Sequence, residues 1–210
     1  MSDMTQYINS MQPAFDGVLG EIQQEALEGN IPIIPPETAR FLATLLSLKR
    51  PRRVLEVGCA IGFSAGIFAR YLADEGHITT IDRYDDMIDK ARQNFKRLGI
   101  VGCVTLIEGD AAFVLPQLTG AFDVIFLDAA KGQYVRFLPD CLRLLNTGGI
   151  LLADDILQGG RVALERFAVP RRQRTIQTRL NAFLHEVFAR ADLEASIIPI
   201  GDGLLLAHKR

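Results

Sequence analysis

The sequence predicts a single α/β domain built on a doubly wound, mostly parallel sheet, and three observations carry that prediction. The chain has 210 residues, the size of one ordinary domain that can bury a substantial core. From residue 52 onward, five short runs rich in Val, Ile and Leu alternate with helical segments, as strands do when helices cover both sheet faces. The chain then ends in two further strand-like runs around a Gly201-Asp202 turn, which must pair antiparallel. With 49% hydrophobic and 23% charged residues, a disordered or fibrous chain is excluded.

Taken in order, residues 1–48 read as a helical extension. An apolar-periodic stretch runs through about Leu27, IPIIPP (31–36) breaks it, and a second helix runs to Leu48. RRVLEV (52–57) opens the α/β core, which extends to residue 210. The segment from Gly62 to Ala73 is helical, HITTID (77–82) is a strand, and Asp85 to Leu98 is helical. CVTLIEG (103–109), FDVIFLD (122–128) and GILLADD (149–155) are the next three strands. A long helix around 171–190 precedes the closing hairpin, LEASIIPI (193–200) and GLLLAH (203–208). The strands total seven, and no internal repeat interrupts them.

Charge is distributed unevenly behind a net value of −2. The first 39 residues carry six acids (Asp3, Asp16, Glu21, Glu25, Glu28, Glu37) and no Lys or Arg, which argues against a secretory signal. No apolar run reaches the roughly 18–20 residues of a membrane-spanning helix. Cys59, Cys103 and Cys141 are an odd number, far apart, and read as reduced thiols of a cytoplasmic protein. Residues 161–179 instead hold six arginines and one acid, Glu165.

The first strand runs into VLEVGCAIGFSAG (54–66), where Gly58 and Gly62 allow backbone to approach a ligand at the carboxyl edge of the sheet. A dinucleotide site would show GxGxxG, but Ala60 stands at the second glycine, and Glu56 would repel a pyrophosphate. Glu56 suits a cationic amino group, Asp82 at the end of the second strand suits a ribose diol, and Asp110 opens a third loop on the same edge. Tight turns that merely need glycine would explain the glycine pair alone. The pair together with three acids favours a nucleoside without phosphates, and S-adenosylmethionine fits.

Asp128 ends the fourth strand, and Asp154 and Asp155 end the fifth, beside the donor. Three carboxylates in one small site repel one another and require a proton or a cation; an open cleft with oxygen ligands suits Mg²⁺. Asp155 alone reads equally well as a helix cap. Lys131, three residues after Asp128, can point over the same site.

These motifs together resemble the metal-dependent class I O-methyltransferases, the family of catechol O-methyltransferase and the caffeoyl-CoA O-methyltransferases. The resemblance extends from about Ile31 to the terminal hairpin: the glycine motif at 54–65, DxxK at Asp128 and Lys131, and the acid pair at Asp154 and Asp155. It implies a Rossmann-like methyltransferase domain. It implies donor contacts at Ile34 (through its backbone), Glu56, Ser64, Asp82, Ala111 and Asp128. It further implies metal ligands at Asp128, Asp154 and Asp155, Lys131 as the base, and a homodimer formed with help from the N-terminal helices. The family often has Asn or Glu where Asp155 or Asp82 stands here. The absence of tryptophan removes the Trp-lined gate of the animal catechol enzymes.

The acceptor is read from VPRRQRTIQTRLNAFLHEV (169–187), where Arg171, Arg172 and Arg174 crowd the positive end of a helix dipole. Phosphate is a natural counter-ion for that arrangement. The segment resembles the bacterial branch of the family that methylates 5-hydroxyuridine at the tRNA wobble position, giving 5-methoxyuridine, with the anticodon loop as partner. A 5-hydroxyuracil places its 5-oxygen beside a carbonyl oxygen, as a catechol does. A small catechol or phenol is the alternative acceptor. A solvated helix start, or pairing with the acidic N-terminus of a dimer partner, would also explain the arginines. A nicotinamide dehydrogenase is disfavoured by the broken GxGxxG, and a non-catalytic binding module leaves Lys131 and three acids unexplained.

Overall fold

Each of the seven apolar runs becomes a strand in the computed structural model, which describes residues 3–210: β1 (Arg53–Val57), β2 (His77–Asp82), β3 (Val104–Glu108), β4 (Phe122–Leu127), β5 (Leu145–Ala153), β6 (Leu193–Ile198) and β7 (Leu204–Lys209). They form one sheet in the order β3-β2-β1-β4-β5-β7-β6. The first five are parallel, and β7 pairs antiparallel with both β5 and β6. This is the Rossmann-like methyltransferase fold, with the mostly parallel sheet and antiparallel finish that the sequence predicts.

Alternate residues of the central strands feed two cores, which is why those strands read as continuous apolar runs. Leu55, Val57, Ile125, Leu127 and Leu151 pack against α7 (Tyr134–Leu144) and α8 (Arg174–Phe188). On the opposite face, Val54, Val124, Phe126 and Leu152 pack against α2 (Gly17–Glu28), α3 (Pro36–Lys49) and α4 (Phe63–Tyr71). The helices α5 (Asp85–Arg97) and α6 (Ala111–Val114) complete the cover.

Three boundaries differ from expectation. The N-terminal helical stretch divides into α1 (Asp3–Met11) and α2, because Pro13 lacks an N–H and Gly17 takes φ +59°. The fifth strand starts at Leu145, and its early part is irregular: Phe122 pairs with Leu145 and Val124 with Ile150, while Gly148 has φ +78°. Helix α8 starts at Arg174, since residues 171–173 after Pro170 form a 3₁₀ turn.

Candidate active site

The sheet order reverses beside β1, which is flanked by β2 and β4, and such a switch point opens a crevice at the carboxyl ends of the strands. Register then decides which side chains meet there. Val57 pairs with Leu127, and Leu127 with Ala153, so Gly58, Asp128 and Asp154 emerge side by side. Each of these residues donates its N–H to a neighbouring strand end: Gly58 to Ile81, Asp128 to Val57 and Asp154 to Leu127, at 2.8–2.9 Å. A cavity of about 670 Å³ lies above them. Its walls include Ile34, Gly58, Ser64, Asp82, Asp110, Ala111, Asp128, Asp154 and Asp155 from among the residues the sequence singles out.

On the donor side the glycine turn is fixed from both ends. Gly58 has φ +94°, and a Cβ there would lie 2.2 Å from the Asp128 carbonyl oxygen, so only glycine lets the ends of β1 and β4 approach. Ala60, at the place of the missing glycine, takes the left-handed conformation with φ +43°. Asp82 holds it there: one carboxylate oxygen accepts from the Cys59 and Ala60 N–H groups at 3.0 and 2.9 Å, and the other from Arg83 and Tyr84 at 2.7 and 3.1 Å. Those four bonds take up the usual capacity of a carboxylate, so a ribose hydroxyl at Asp82 must share an oxygen with the backbone. Asp110 caps α6 through the Ala112 N–H at 2.9 Å and also accepts from Arg83. The Ala112 bond foremost, with Arg83 behind it, holds its carboxyl below the usual range.

Glu56 and Gly62 stand behind the cavity wall, not on it. Glu56 is completely buried and accepts hydrogen bonds from Ser64 Oγ and, at 2.6 Å, from Thr80 Oγ1. Burial pushes its carboxyl up to about 7, against the pull of those two hydroxyls. Ser64 is the member of this pair that faces the cavity. Gly62, with φ +82°, caps α4, and a Cβ there would lie 2.5 Å from the Phe95 ring. Its requirement is helix packing.

The other side of the cavity gathers charge. Burial, then the nearby Asp155 carboxylate, pushes Asp128 up to about 7; burial, then Asp128 and Asp155, pushes Asp154 up to about 8. Lys131, on the 3₁₀ turn 131–133 before α7, is not on the cavity wall; it forms an ion pair with Asp155. Asp154 Oδ1 accepts from the Asp155 N–H at 2.8 Å. With Asp155 turned to Lys131, no three His, Cys, Asp or Glu side chains among the described residues are gathered closely enough to hold an ion. The donor chemistry nonetheless fits a hard cation: three carboxylate groups, Asp154 buried and Asp128 and Asp155 half-buried beside it. A preformed cage is absent, and the oxygen set for one is present.

The arginine segment divides. Arg174 donates to its own loop, from Nε to the Val169 carbonyl at 2.8 Å and from Nη2 to the Phe167 carbonyl at 3.0 Å, and so ties that loop to the start of α8. Arg171 and Arg172 are exposed, and neither pairs with an acid among the described residues. The segment reaches the turn that carries Lys131 through Arg179, which donates to the Gly132 carbonyl at 3.3 Å.

Several wall residues escape the motif reading: Phe63, Arg83, Tyr84, Met87, Gln133 and Phe137. Arg83 and Tyr84 directly follow Asp82, and that adjacency is the one signal the sequence offers for them. Tyr134 is buried beneath the wall, its hydroxyl donating to the Leu127 and Asp154 carbonyls and tying β4 to β5. Nothing in its sequence context marks that role.

The profile of the family described as O-methyltransferase matches residues 15–210. Catechol O-methyltransferase of Niastella koreensis is 31% identical over 96% of this chain and 94% of its own length. Tricin synthase 2 of Oryza sativa subsp. japonica is 32% identical over 83% of this chain, which spans 62% of that longer protein. Among solved structures, the O-methyltransferase TomG from Streptomyces achromogenes, in complex with S-adenosylmethionine, superposes with a TM-score of 0.86 at 25% identity, covering 99% of this chain and 96% of its own. The glycine turn, the edge acids and the whole-length likeness converge: the chain belongs to the O-methyltransferase family and is an S-adenosylmethionine-dependent methyltransferase of the catechol/caffeoyl-CoA type.

Proposed function

We propose that this chain methylates one of two vicinal oxygens on its acceptor, with Asp128, Asp154 and Asp155 holding a divalent cation such as Mg²⁺ and Lys131 taking the proton. The observation that carries the reading is the pairing of buried Asp154 with half-buried Asp128 beside a cavity sized for the donor. A cation bound there supplies Lewis-acid charge that favours the acceptor oxyanion. The chain's own residues do the rest. Ile34 covers the donor through its backbone, Ser64 meets the amino-acid end with Glu56 behind it, and Asp82, Asp110 and Ala111 hold the nucleoside. Lys131, released from Asp155 and having given up its own proton to solvent, would accept the hydroxyl proton as a neutral amine. Placing both reactants on one rigid sheet edge supplies most of the rate gain. The whole chain works as one domain, in the cytoplasm, where its three unpaired cysteines stay reduced. The exposed Met4, Tyr7 and Met11 on α1 support assembly as a homodimer.

For the acceptor, the reading favoured by the surface is the wobble 5-hydroxyuridine of a tRNA anticodon loop. Phe167 is 79% exposed and available for a base to stack on, and the exposed Arg166, Arg171 and Arg172 lie within five positions of it in the sequence. Four of the six N-terminal acids are already engaged within the chain: Asp16 with Arg70, Glu21 and Glu25 with Arg97, and Glu37 with Asn9. A small catechol is the second reading, favoured by the catechol O-methyltransferase relative. Mass spectrometry of tRNA nucleosides from cells lacking the protein decides between them. Accumulated 5-hydroxyuridine without 5-methoxyuridine supports tRNA; an unchanged nucleoside profile, with catechol methylation by the purified enzyme, supports the small acceptor. Full activity in excess chelator would refute the cation.

A further inference from the structure

The turn that closes the β6–β7 hairpin touches both walls of the cleft. Residues 200–203 form it, with the Gly203 N–H donating to the Ile200 carbonyl at 2.8 Å. On one side Gly201 lies against the start of α3: a Cβ there would be 2.7 Å from Thr38 Oγ1 and 3.2 Å from Pro35, a residue of the cavity wall. On the other side the turn holds the loop that follows β5. Leu157 donates its N–H to the Asp202 carbonyl at 2.9 Å, Ile156 to the Gly203 carbonyl at 3.0 Å, and Gly159 to the Asp202 carboxylate.

That loop requires external support. Asp155, Gln158, Gly159 and Gly160 all have positive φ, at 57°, 51°, 60° and 78°. A backbone with two non-glycine residues in the left-handed region persists only where its surroundings fix it. Gly203 supplies the close approach: its φ is +87°, and a Cβ would lie 2.3 Å from Leu157 Cγ. The loop starts at Asp155 on the cavity wall and leads into the arginine segment.

We propose that Asp202 is a positioning residue for the acceptor: by holding Gly159 and Leu157 it fixes the loop between Asp155 and the arginines, leaving the donor site untouched. This rests on the acceptor-side reading above. No other side chain among the described residues bonds the Gly159 amide.

The test compares Asp202→Ala and Asp202→Asn with the wild-type protein. Hydrogen exchange is followed at the Gly159 amide, S-adenosylmethionine affinity by calorimetry, and turnover in the presence of Mg²⁺ with 3,4-dihydroxybenzoate and with an anticodon stem-loop carrying 5-hydroxyuridine, the KM being read on whichever acceptor the wild type methylates. Asp202→Ala is expected to speed Gly159 exchange and raise the acceptor KM roughly tenfold, the worth of one hydrogen bond to a charged group. The kcat and the donor affinity stay within about twofold on that same reasoning. Asp202→Asn keeps a side-chain oxygen and restores the wild-type KM. Gly203→Ala, which pushes on Leu157 from the turn side, reproduces the high KM and serves if Asp202→Ala does not fold. A KM unmoved in folded Asp202→Ala, or a donor affinity that falls in step with it, overturns the proposal. The two readings fail separately: a wild-type protein that methylates neither the stem-loop nor the catechol overturns the acceptor reading, whereas unchanged exchange at Gly159 in Asp202→Ala overturns the role of Asp202.

Discussion

The two halves of the cleft use carboxylates in opposite ways. Around the glycine turn, Asp82 and Glu56 are satisfied by donors built into the fold, four backbone N–H groups for one and two hydroxyls for the other. Across the cavity, Asp154 is buried and Asp128 half-buried beside Asp155, and burial plus like charge pushes the two carboxyls up to about 8 and about 7. At Asp82 the first half is complete as folded, whereas Glu56, behind the wall, still has its carboxyl pushed up to about 7 by burial. The second is electrostatically unfinished and gains when positive charge arrives. Rigidity for donor recognition and stored repulsion for chemistry are thus separated by the width of β4.

Breaking the unfinished half should have the largest effect. Asp154→Asn removes a charge that the fold resists, so turnover should fall by about a thousandfold, in the range seen for lost electrostatic stabilisers. The same variant should melt higher than the wild type in chelator, because the repulsion is gone. Steady-state kinetics and a thermal scan read the two effects, and a variant that loses both activity and stability would break the contrast.

The finished half should respond in the reverse sense. Asp82→Ala leaves four N–H groups without their acceptor and frees Ala60 from its strained conformation. A stability loss on the order of 3–5 kcal/mol is expected, together with loss of donor binding. Denaturant unfolding with calorimetry measures both. If Asp82→Ala is as stable as the wild type, the carboxylate is not the tie between the two loops.

Glu56 gives the pH dependence. Its folded-state value of about 7 lies above the ordinary 4.5, so the folded state favours the protonated form. Its contribution is intact below about pH 4.5, declines as pH rises toward 7, and above 7 the penalty reaches on the order of 2–3 kcal/mol. Glu56→Gln should therefore gain stability relative to the wild type between about pH 5 and 8, read as a flatter slope of unfolding free energy against pH. Parallel slopes would mean that Glu56 is ionised in the ligand-free fold.

The smallest effect belongs to the arginine segment. Changing Arg171 and Arg172 to Gln should flatten the salt dependence of RNA binding, its slope falling by about 0.7 for each phosphate no longer neutralised, without moving the melting temperature. Arg174→Gln should do the opposite, since it ties the Phe167 and Val169 carbonyls. Equal effects on RNA from all three would restore the undivided cluster.

That split marks where sequence reading stops. The central strands are legible because both of their faces are buried, and the edge acids because each sits at or directly after a strand end, where register alone fixes its neighbours. Gly62 looks like part of a ligand turn, but the Phe95 ring that demands it lies on α5, more than thirty residues away, and no local spacing reports such an approach. The motif places Glu56 at the donor; only the fold shows Ser64 standing between them. The division of the arginines depends on which guanidinium can reach loop carbonyls, and that depends on the 3₁₀ turn that delays α8. Asp202 reads as a turn residue, and its bond to Gly159 crosses 43 positions.

The comparison of the two halves is tested most directly by titrating S-adenosylmethionine into metal-free protein in a calorimeter, with NAD⁺ as the control ligand. A donor half complete as folded predicts saturable binding of one donor per chain in the presence of chelator, no binding of NAD⁺, and no more than a small change in donor affinity when Mg²⁺ is added. Donor binding that appears only after the cation is supplied would contradict the separation, and with it the account of a finished donor site facing an unfinished acceptor site.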